Sequence, residues 1–383
     1  DTNANLTIGY ELIDHSGRVV ATGEKNVSMK SKGMVTVTFE RQLPDVETWT
    51  SEVPNLYKLM MIVRENGKTS EVVPFNVGFR RIEIKEIEQK SANGKNYTVL
   101  LINGQPLKLK GVNVHEHDPE TGHYLTEELM RKDFELMRRA NINTVRLCHY
   151  PQDRRFYELC DEYGFYVYDE ANIESHGMRY DLRKGGTLGN NPEWLKPHMY
   201  RTINMFERNK NYPSLTFWSL GNESYAGDDI EAMNVYFSEK KDGRLVHYES
   251  SYYNRAYEDT ISDLETRMYA KPEDVEEYLN NSPKKPYILC EFMHDMGNSM
   301  GGLGAYMKLI DKYDMYHGGF IWDFIDQAIL VKDQVTGKEV LRYGGDFDDK
   351  PADYEFSANG IVFADRKEKP AMQEVRYYYG LYR

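Results

Sequence analysis

From about residue 85 onward, strand-like apolar runs alternate with helix-like stretches, the signature of βα units wound around a parallel sheet. Eight strand candidates can be counted: Leu107–His115, Asn143–Tyr150, Tyr166–Glu174, Leu215–Glu223, Leu245–Ser250, Leu264–Tyr269, Tyr287–Phe292 and Gly318–Phe324. Several intervening helices are well marked. Thr126 suits an N-cap, followed by Glu127 and Glu128, with Met130, Phe134 and Met137 on one face. Phe156, Leu159, Cys160 and Tyr163 form a second apolar face that ends at Gly164. Asn191-Pro192 opens a third helix expected to bury Leu195, Met199, Ile203 and Phe206, and a fourth starts at Asp228. Eight such strands over roughly 280 residues predict a (β/α)8 TIM barrel.

Residues 1–84 have a different texture. Leu6–Ile13, Val35–Phe39, Tyr57–Val63 and Glu71–Phe79 alternate with period two, and Glu65-Asn66-Gly67-Lys68 is a hairpin signal. The fold class is therefore α/β, a barrel over 85–383 preceded by a small all-β, immunoglobulin-like sandwich over 1–84. Lys and Arg number 48 against 61 Asp and Glu, a net charge of −13, which argues against a nucleic-acid or anionic-membrane partner. No apolar run reaches the ~18 residues of a membrane span. Cys148, Cys160 and Cys290 lie in apolar stretches and read as reduced core thiols. The chain opens mid-pattern without a leader and reads as a piece of a longer protein, with the cytoplasm as the expected compartment.

A barrel of this kind places its chemistry where the strands end. Glu223 and Glu291 close the fourth and seventh strands, which face each other. Two carboxyls flanking one pocket are the apparatus of glycoside hydrolysis, one donating a proton and the other attacking the anomeric carbon. Glu174 and His176, on one face of an extended segment, form with Glu223 a set of two carboxylates and one imidazole. That set suits Mg²⁺ or Mn²⁺, although a metal-free hydrogen-bonded cluster reads equally well. His115, His149 and His294 end three further strands as hydroxyl-binding groups, and Trp322 offers a platform for an apolar sugar face. The run Tyr377–Tyr379 reads as packing.

The longer motifs carry a resemblance. Gly111-Val-Asn-Val-His-Glu-His117, Val145-Arg-Leu-Cys-His-Tyr-Pro151, Asp169-Glu-Ala-Asn-Ile-Glu-Ser-His-Gly-Met178, Trp218-Ser-Leu-Gly-Asn-Glu-Ser224 and Ile288-Leu-Cys-Glu-Phe-Met-His294 occur in one order. So do Gly344-Gly-Asp-Phe347 and Asn359-Gly-Ile-Val-Phe-Ala-Asp-Arg366. In these the chain resembles the large multidomain β-galactosidases of glycoside hydrolase family 2. The resemblance implies a retaining hydrolase of terminal β-D-galactosides, with Glu223 as acid/base and Glu291 as nucleophile. It implies Mg²⁺ on Glu174, His176 and Glu223, and Na⁺ on the Phe356 carbonyl and Asn359. It also implies sugar or transition-state contacts from His115, His149, Asn222, Tyr269, His294 and Trp322, with Arg146 orienting the nucleophile. It further implies a homo-oligomer in the full-length protein, and an Asp supplied to the Na⁺ site by a leading jelly-roll domain that this chain starts after. A β-glucuronidase is the alternative within the family, but Ser357-Ala-Asn-Gly360 lacks the lysine that meets a uronate carboxylate. A catalytically incomplete carbohydrate-binding fragment is the alternative from another class.

Overall fold

The computed structural model describes residues 4–90, 96–178, 181 and 183–382. The chain opens with β1 (Ala4–Ile13), β2 (Val19–Met29), β3 (Tyr57–Glu65) and β4 (Lys68–Val77), which form one antiparallel sheet in the order β2-β1-β3-β4. Asn66 and Gly67 both take positive φ, 52° and 76°, and Glu65 pairs with Lys68. This is the two-residue turn that Asn-Gly favours, because its twist matches that of the flanking strands. Leu43, in the connection between β2 and β3, packs on the cluster of Leu12, Ala21 and Tyr57. Val35–Phe39, expected as a strand, forms no ladder. It is held instead by side chains: the Phe39 ring meets Tyr10 edge-on at 5.0 Å, and Lys25 Nζ donates to the Thr38 carbonyl at 2.6 Å.

A meander of β5 (Ile82–Lys90), β6 (Asn96–Ile102) and β7 (Gln105–Pro106) leads into the barrel. Its apolar face is a plug. Ile82, Leu100, Ile102 and Leu107 share one buried cluster with Tyr166, Tyr168, Phe217, Ile288 and Phe320 from the barrel strands. Trp49 joins the same cluster, fully buried, and its indole N–H donates to the Asp161 carbonyl at 3.0 Å. The sandwich is thereby pinned to the closed end of the barrel.

The barrel strands are β8 (Leu109–Asn113), β9 (Thr144–Leu147), β10 (Tyr166–Glu170), β11 (Leu215–Ser219), β12 (Leu245–His247), β13 (Glu265–Met268), β14 (Tyr287–Phe292) and β15 (Tyr316–Ile321). They form one parallel sheet in the order β12-β11-β10-β9-β8-β15-β14-β13. The seam between β12 and β13 is bridged by the Asp263 N–H to the Val246 carbonyl, 2.9 Å, and by His247 with Thr266 Oγ1, 3.1 Å. Gly318 permits the closure: its φ is +95°, and a Cβ there would stand 2.1 Å from the Leu109 carbonyl oxygen. The strands are shorter than the apolar runs suggest. Most runs continue past the ladder into the loop that carries their polar residues, whereas β14 spans its expected run, Tyr287–Phe292.

Helices α1 (Glu127–Arg139), α2 (Arg154–Tyr163), α3 (Leu195–Asn209), α4 (Asp228–Lys240), α5 (Pro272–Asn280), α6 (Leu303–Lys312) and α7 (Ala371–Gly380) surround the sheet. Thr126 caps α1 through the Leu129 N–H, and Gly164 ends α2 at φ +74°, where a Cβ would strike the Ser51 carbonyl at 2.4 Å. Between β12 and β13 the helix is replaced by two short 3₁₀ turns, Glu249–Tyr252 and Arg255–Tyr257. The buried face of α3 also departs from expectation. His198, Thr202, Met205, Phe206 and Asn209 face inward, while Leu195 and Ile203 are exposed. The rotation is fixed by a polar anchor: Asn209 Nδ2 donates to Asp169 at 2.6 Å and to the Tyr157 hydroxyl at 3.1 Å. After β15, the hairpin β16 (Ile329–Lys332) and β17 (Glu339–Arg342) leads to the segment bearing Phe356 and Asn359. No helix among the described residues is long and apolar enough to cross a membrane.

Removing the pin should uncouple the two parts. Trp49→Ala is expected to destabilise the chain by about 3–5 kcal/mol, read as a lower urea midpoint. An unchanged midpoint would show that the indole contributes no anchoring.

Candidate active site

The site lies at the carboxyl ends of the strands, and its centre is a buried guanidinium. Arg146 on β9 has no solvent exposure. Its Nε and Nη2 engage Glu170 of β10 at 2.8 and 3.1 Å. Nη1 donates to Glu291 Oε1 of β14 at 2.7 Å and to Asn113 Oδ1 of β8 at 2.9 Å. Nη2 also donates to Asn222 Oδ1 beyond β11 at 2.8 Å. One planar cation thus ties five strand ends together, which its fixed fork of donors allows.

The other oxygen of Glu291 accepts from the Tyr269 hydroxyl at 2.7 Å. Burial first, and then the Glu291 charge, push the Tyr269 phenol far up, so it remains a donor. Burial would raise Glu170 as well, but Arg146, His149 and Ser219 outweigh it and hold the carboxyl at about 2. Glu170 therefore stays ionised and grips His149 Nδ1 at 2.7 Å. His149 stacks on Trp322 with centroids 5.4 Å apart, and His115 meets both rings edge-on. His294 packs on Tyr269 and Phe356.

Glu223 sits in the turn after β11, in the left-handed region at φ +40°. Tyr225, Tyr269 and Met293 share that region, so four strained non-glycine residues ring the mouth. Burial and then the charge of Glu291 raise the Glu223 carboxyl above its ordinary value; Glu174 adds to this, and His176 and His149 oppose it. His176 Nδ1 lies 3.1 Å from Glu223 Oε2. Glu174 accepts from Asn222 Nδ2 at 2.5 Å and from the His176 backbone N–H at 3.0 Å. The expected trio comes together only in pairs, His176 beside Glu223 and its backbone on Glu174, and its three donor groups do not lie within 4.8 Å of one another; Glu174 bridges to Asn222, and His176 begins a 3₁₀ turn. Two carboxylates and one imidazole, with acidic crowding already raising Glu223, fit a hard divalent cation. Asn359 Oδ1 is buried without a partner, while its Nδ2 donates to the Phe356 carbonyl. Adjacent uncharged oxygens of that kind fit a monovalent cation once the amide is turned.

All the expected residues therefore gather at one mouth. The sequence reading missed four groups that hold them: Asn113, Glu170, Tyr150, which approaches His115 Nδ1 at 3.3 Å, and Glu249. Glu249 Oε1 accepts from the Glu223 backbone N–H at 2.8 Å. Its complete burial lifts the carboxyl to about 8. The available signal was an acid at the end of β10 and another two residues past β12.

Residues 95–383 fit the profile described as "Glycosyl hydrolases family 2, TIM barrel domain", and residues 1–80 fit "Glycosyl hydrolases family 2". A beta-galactosidase of Halalkalibacterium halodurans is 49% identical over 379 residues, covering 98% of this chain and 36% of that protein. The beta-galactosidase large subunit of Leuconostoc lactis is 46% identical over 100% of this chain and 59% of its own length. That of Latilactobacillus sakei is 51% identical over 88% of this chain and 53% of its own. The chain thus spans between 36% and 59% of the length of these relatives. Among solved structures, a beta-glucuronidase of Bacteroides uniformis superposes with a TM-score of 0.74 at 20% identity, covering 100% of this chain and 47% of that one. At that identity the likeness shows the shared fold.

Glu249 generates a prediction. Folded, it keeps its proton to about pH 8, against the ordinary 4.5. Between these values the folded state binds more protons than the unfolded state, so stability falls as pH rises and the loss is complete above about 8. Glu249→Gln removes this titration. Its urea midpoint should fall less than the wild type's between pH 5 and pH 8; equal declines would contradict the assignment. The profile matches over residues 95–383 and 1–80 settle the lineage: the chain belongs to glycosyl hydrolase family 2.

Proposed function

We propose that this chain carries the catalytic centre of a β-galactosidase that hydrolyses terminal β-D-galactosides with retention of anomeric configuration. The observation that carries the reading is the contrast between two facing carboxyls. Glu291 is oriented by the Arg146 guanidinium and the Tyr269 hydroxyl, while Glu223 has its pKa raised by burial and by the Glu291 charge. A carboxyl whose proton affinity is raised by burial suits the proton donor, and a carboxylate oriented by two donors suits the nucleophile.

In the first step a Glu291 oxygen attacks the anomeric carbon as Glu223 gives its proton to the departing oxygen. In the second step Glu223 takes a proton from water, the water oxygen bonds to that carbon, and Glu291 leaves as a carboxylate. Tyr269 and Arg146 hold the nucleophile, and Asn222 links it to the acid's own loop. His115, His149, His294 and Trp322 line the mouth as groups for the sugar hydroxyls and its apolar face. The buried Asn359 oxygen offers a neutral partner near Phe356, which suits a 6-hydroxyl or Na⁺ better than a uronate carboxylate. Lys369, the cation nearest that segment, is spent on Asp326 at 2.8 Å and on the Ala358 and Gly297 carbonyls.

The specificity for galactose rests on the relatives named beta-galactosidase, each of which is longer than this chain. Two of them are named as large subunits, so the reading includes assembly, either of identical copies or with a second subunit. Glu223→Gly should slow aryl β-galactoside hydrolysis by about 10²–10⁴-fold when the leaving group needs a proton. Azide should then restore turnover and give the β-galactosyl azide; an α-azide, or a folded variant without rescue, would overturn the acid/base role.

Glu174, His176 and Glu223 would hold Mg²⁺ or Mn²⁺, which when bound supplies positive charge that fixes the acid/base and moderates its proton affinity. Calorimetric titration of EDTA-stripped protein with Mg²⁺ should give one site that Glu174→Ala abolishes, with activity restored by the metal. Undiminished activity after exhaustive chelation, with no binding heat, would refute it.

A further inference from the structure

Outside the acid pair, one cluster at the mouth is matched to a different kind of ligand. A ring nitrogen of His115, a ring nitrogen of His149 and the Cys148 sulfur all lie within 4.8 Å of one another. We propose that His115, Cys148 and His149 form a site for a thiophilic divalent cation of the zinc class, and that such an ion occupies the pocket in place of the sugar.

Two observations support it. The donor set is two imidazoles and a thiol, which selects zinc-like ions and is poorly suited to the hard Mg²⁺. The imidazoles are already oriented. His149 Nδ1 is held by Glu170 at 2.7 Å, the carboxylate–histidine arrangement that supports metal ligation, and His115 Nδ1 lies 3.3 Å from the Tyr150 hydroxyl.

Ligands about 2.0–2.3 Å from a tetrahedral ion stand roughly 3.5 Å apart. Donors that already lie within 4.8 Å of one another reach that spacing through side-chain torsions. Cys148 is fully buried, so the ion arrives through the mouth between the imidazoles. Burial holds the Cys148 thiol protonated in the metal-free protein. On binding, sulfur keeps the S–H electron pair and donates it to the ion, and one proton passes to solvent. Three protein ligands leave a fourth position for water.

Cobalt(II) reports the site directly, because a thiolate ligand gives a near-ultraviolet charge-transfer band. The purified protein titrated with Co²⁺ in excess Mg²⁺ should show that band, and Zn²⁺ should displace it. Cys148→Ser should lose the band and weaken Zn²⁺ binding by at least about tenfold, whereas Cys160→Ala should keep both. Should the serine variant not fold, Cys148→Ala is held to the same result. Zn²⁺ should also inhibit aryl β-galactoside hydrolysis competitively, and Cys148→Ser should resist it. This last arm rests on the galactosidase reading, and the spectrum separates its failure from failure of the site. No thiolate band, a band that survives in Cys148→Ser, or Zn²⁺ binding abolished by excess Mg²⁺ would overturn the proposal.

Discussion

A single buried cation organises this active site. Arg146 has given up all its water, and an isolated guanidinium in that position would be destabilising by several kcal/mol. It is tolerated because its donors reach two carboxylates and two amide oxygens at hydrogen-bond distance. The dependence runs both ways. Glu170 and Glu291 are themselves buried, and removing the cation would leave two uncompensated negative charges inside the barrel. Five strand ends must therefore keep their register for the ion network to close. The packing of the barrel and the placement of the chemistry are one constraint.

The network also distributes proton affinity. Glu170, gripped by two guanidinium nitrogens and by His149, sits at about 2. Glu249, buried and touching only N–H and O–H donors, sits at about 8. The Glu223 carboxyl is raised above its ordinary value, by burial first and then by the Glu291 charge. Three glutamates within one chain of contacts thus differ because their surroundings differ in charge and solvent, and not through any difference of side chain. This sorting is what one acid and one nucleophile in a common pocket require.

Much of this was legible in the sequence, for identifiable reasons. The barrel strands are buried on both faces, so they read as continuous apolar runs, and polar residues at their ends stand out. That contrast located His115, Arg146, His149, Glu223, Glu291 and Trp322. Glu170 was passed over because it stands at the last position of β10 beside Asp169, and a buried acid within a strand is indistinguishable from a structural ion pair until its partner is known. Glu249 was missed because its role is to accept a backbone N–H, which no side-chain pattern announces. The α3 face was misjudged for a related reason: apolar spacing gave one stripe, whereas the Asn209–Asp169 contact fixed another. The strand expected at Val35–Phe39 shows that alternation alone does not supply a ladder partner.

The account stands on Glu291 as the group that Arg146 and Tyr269 prepare for attack. The most direct measurement is to trap the covalent intermediate with a 2-deoxy-2-fluoro β-galactosyl fluoride and to sequence the labelled peptide by mass spectrometry. The account predicts one galactosyl group per active site, on Glu291 within Tyr287–Phe292. Label on Glu170, Glu223 or any other residue, or turnover with inverted configuration and no label, would contradict it.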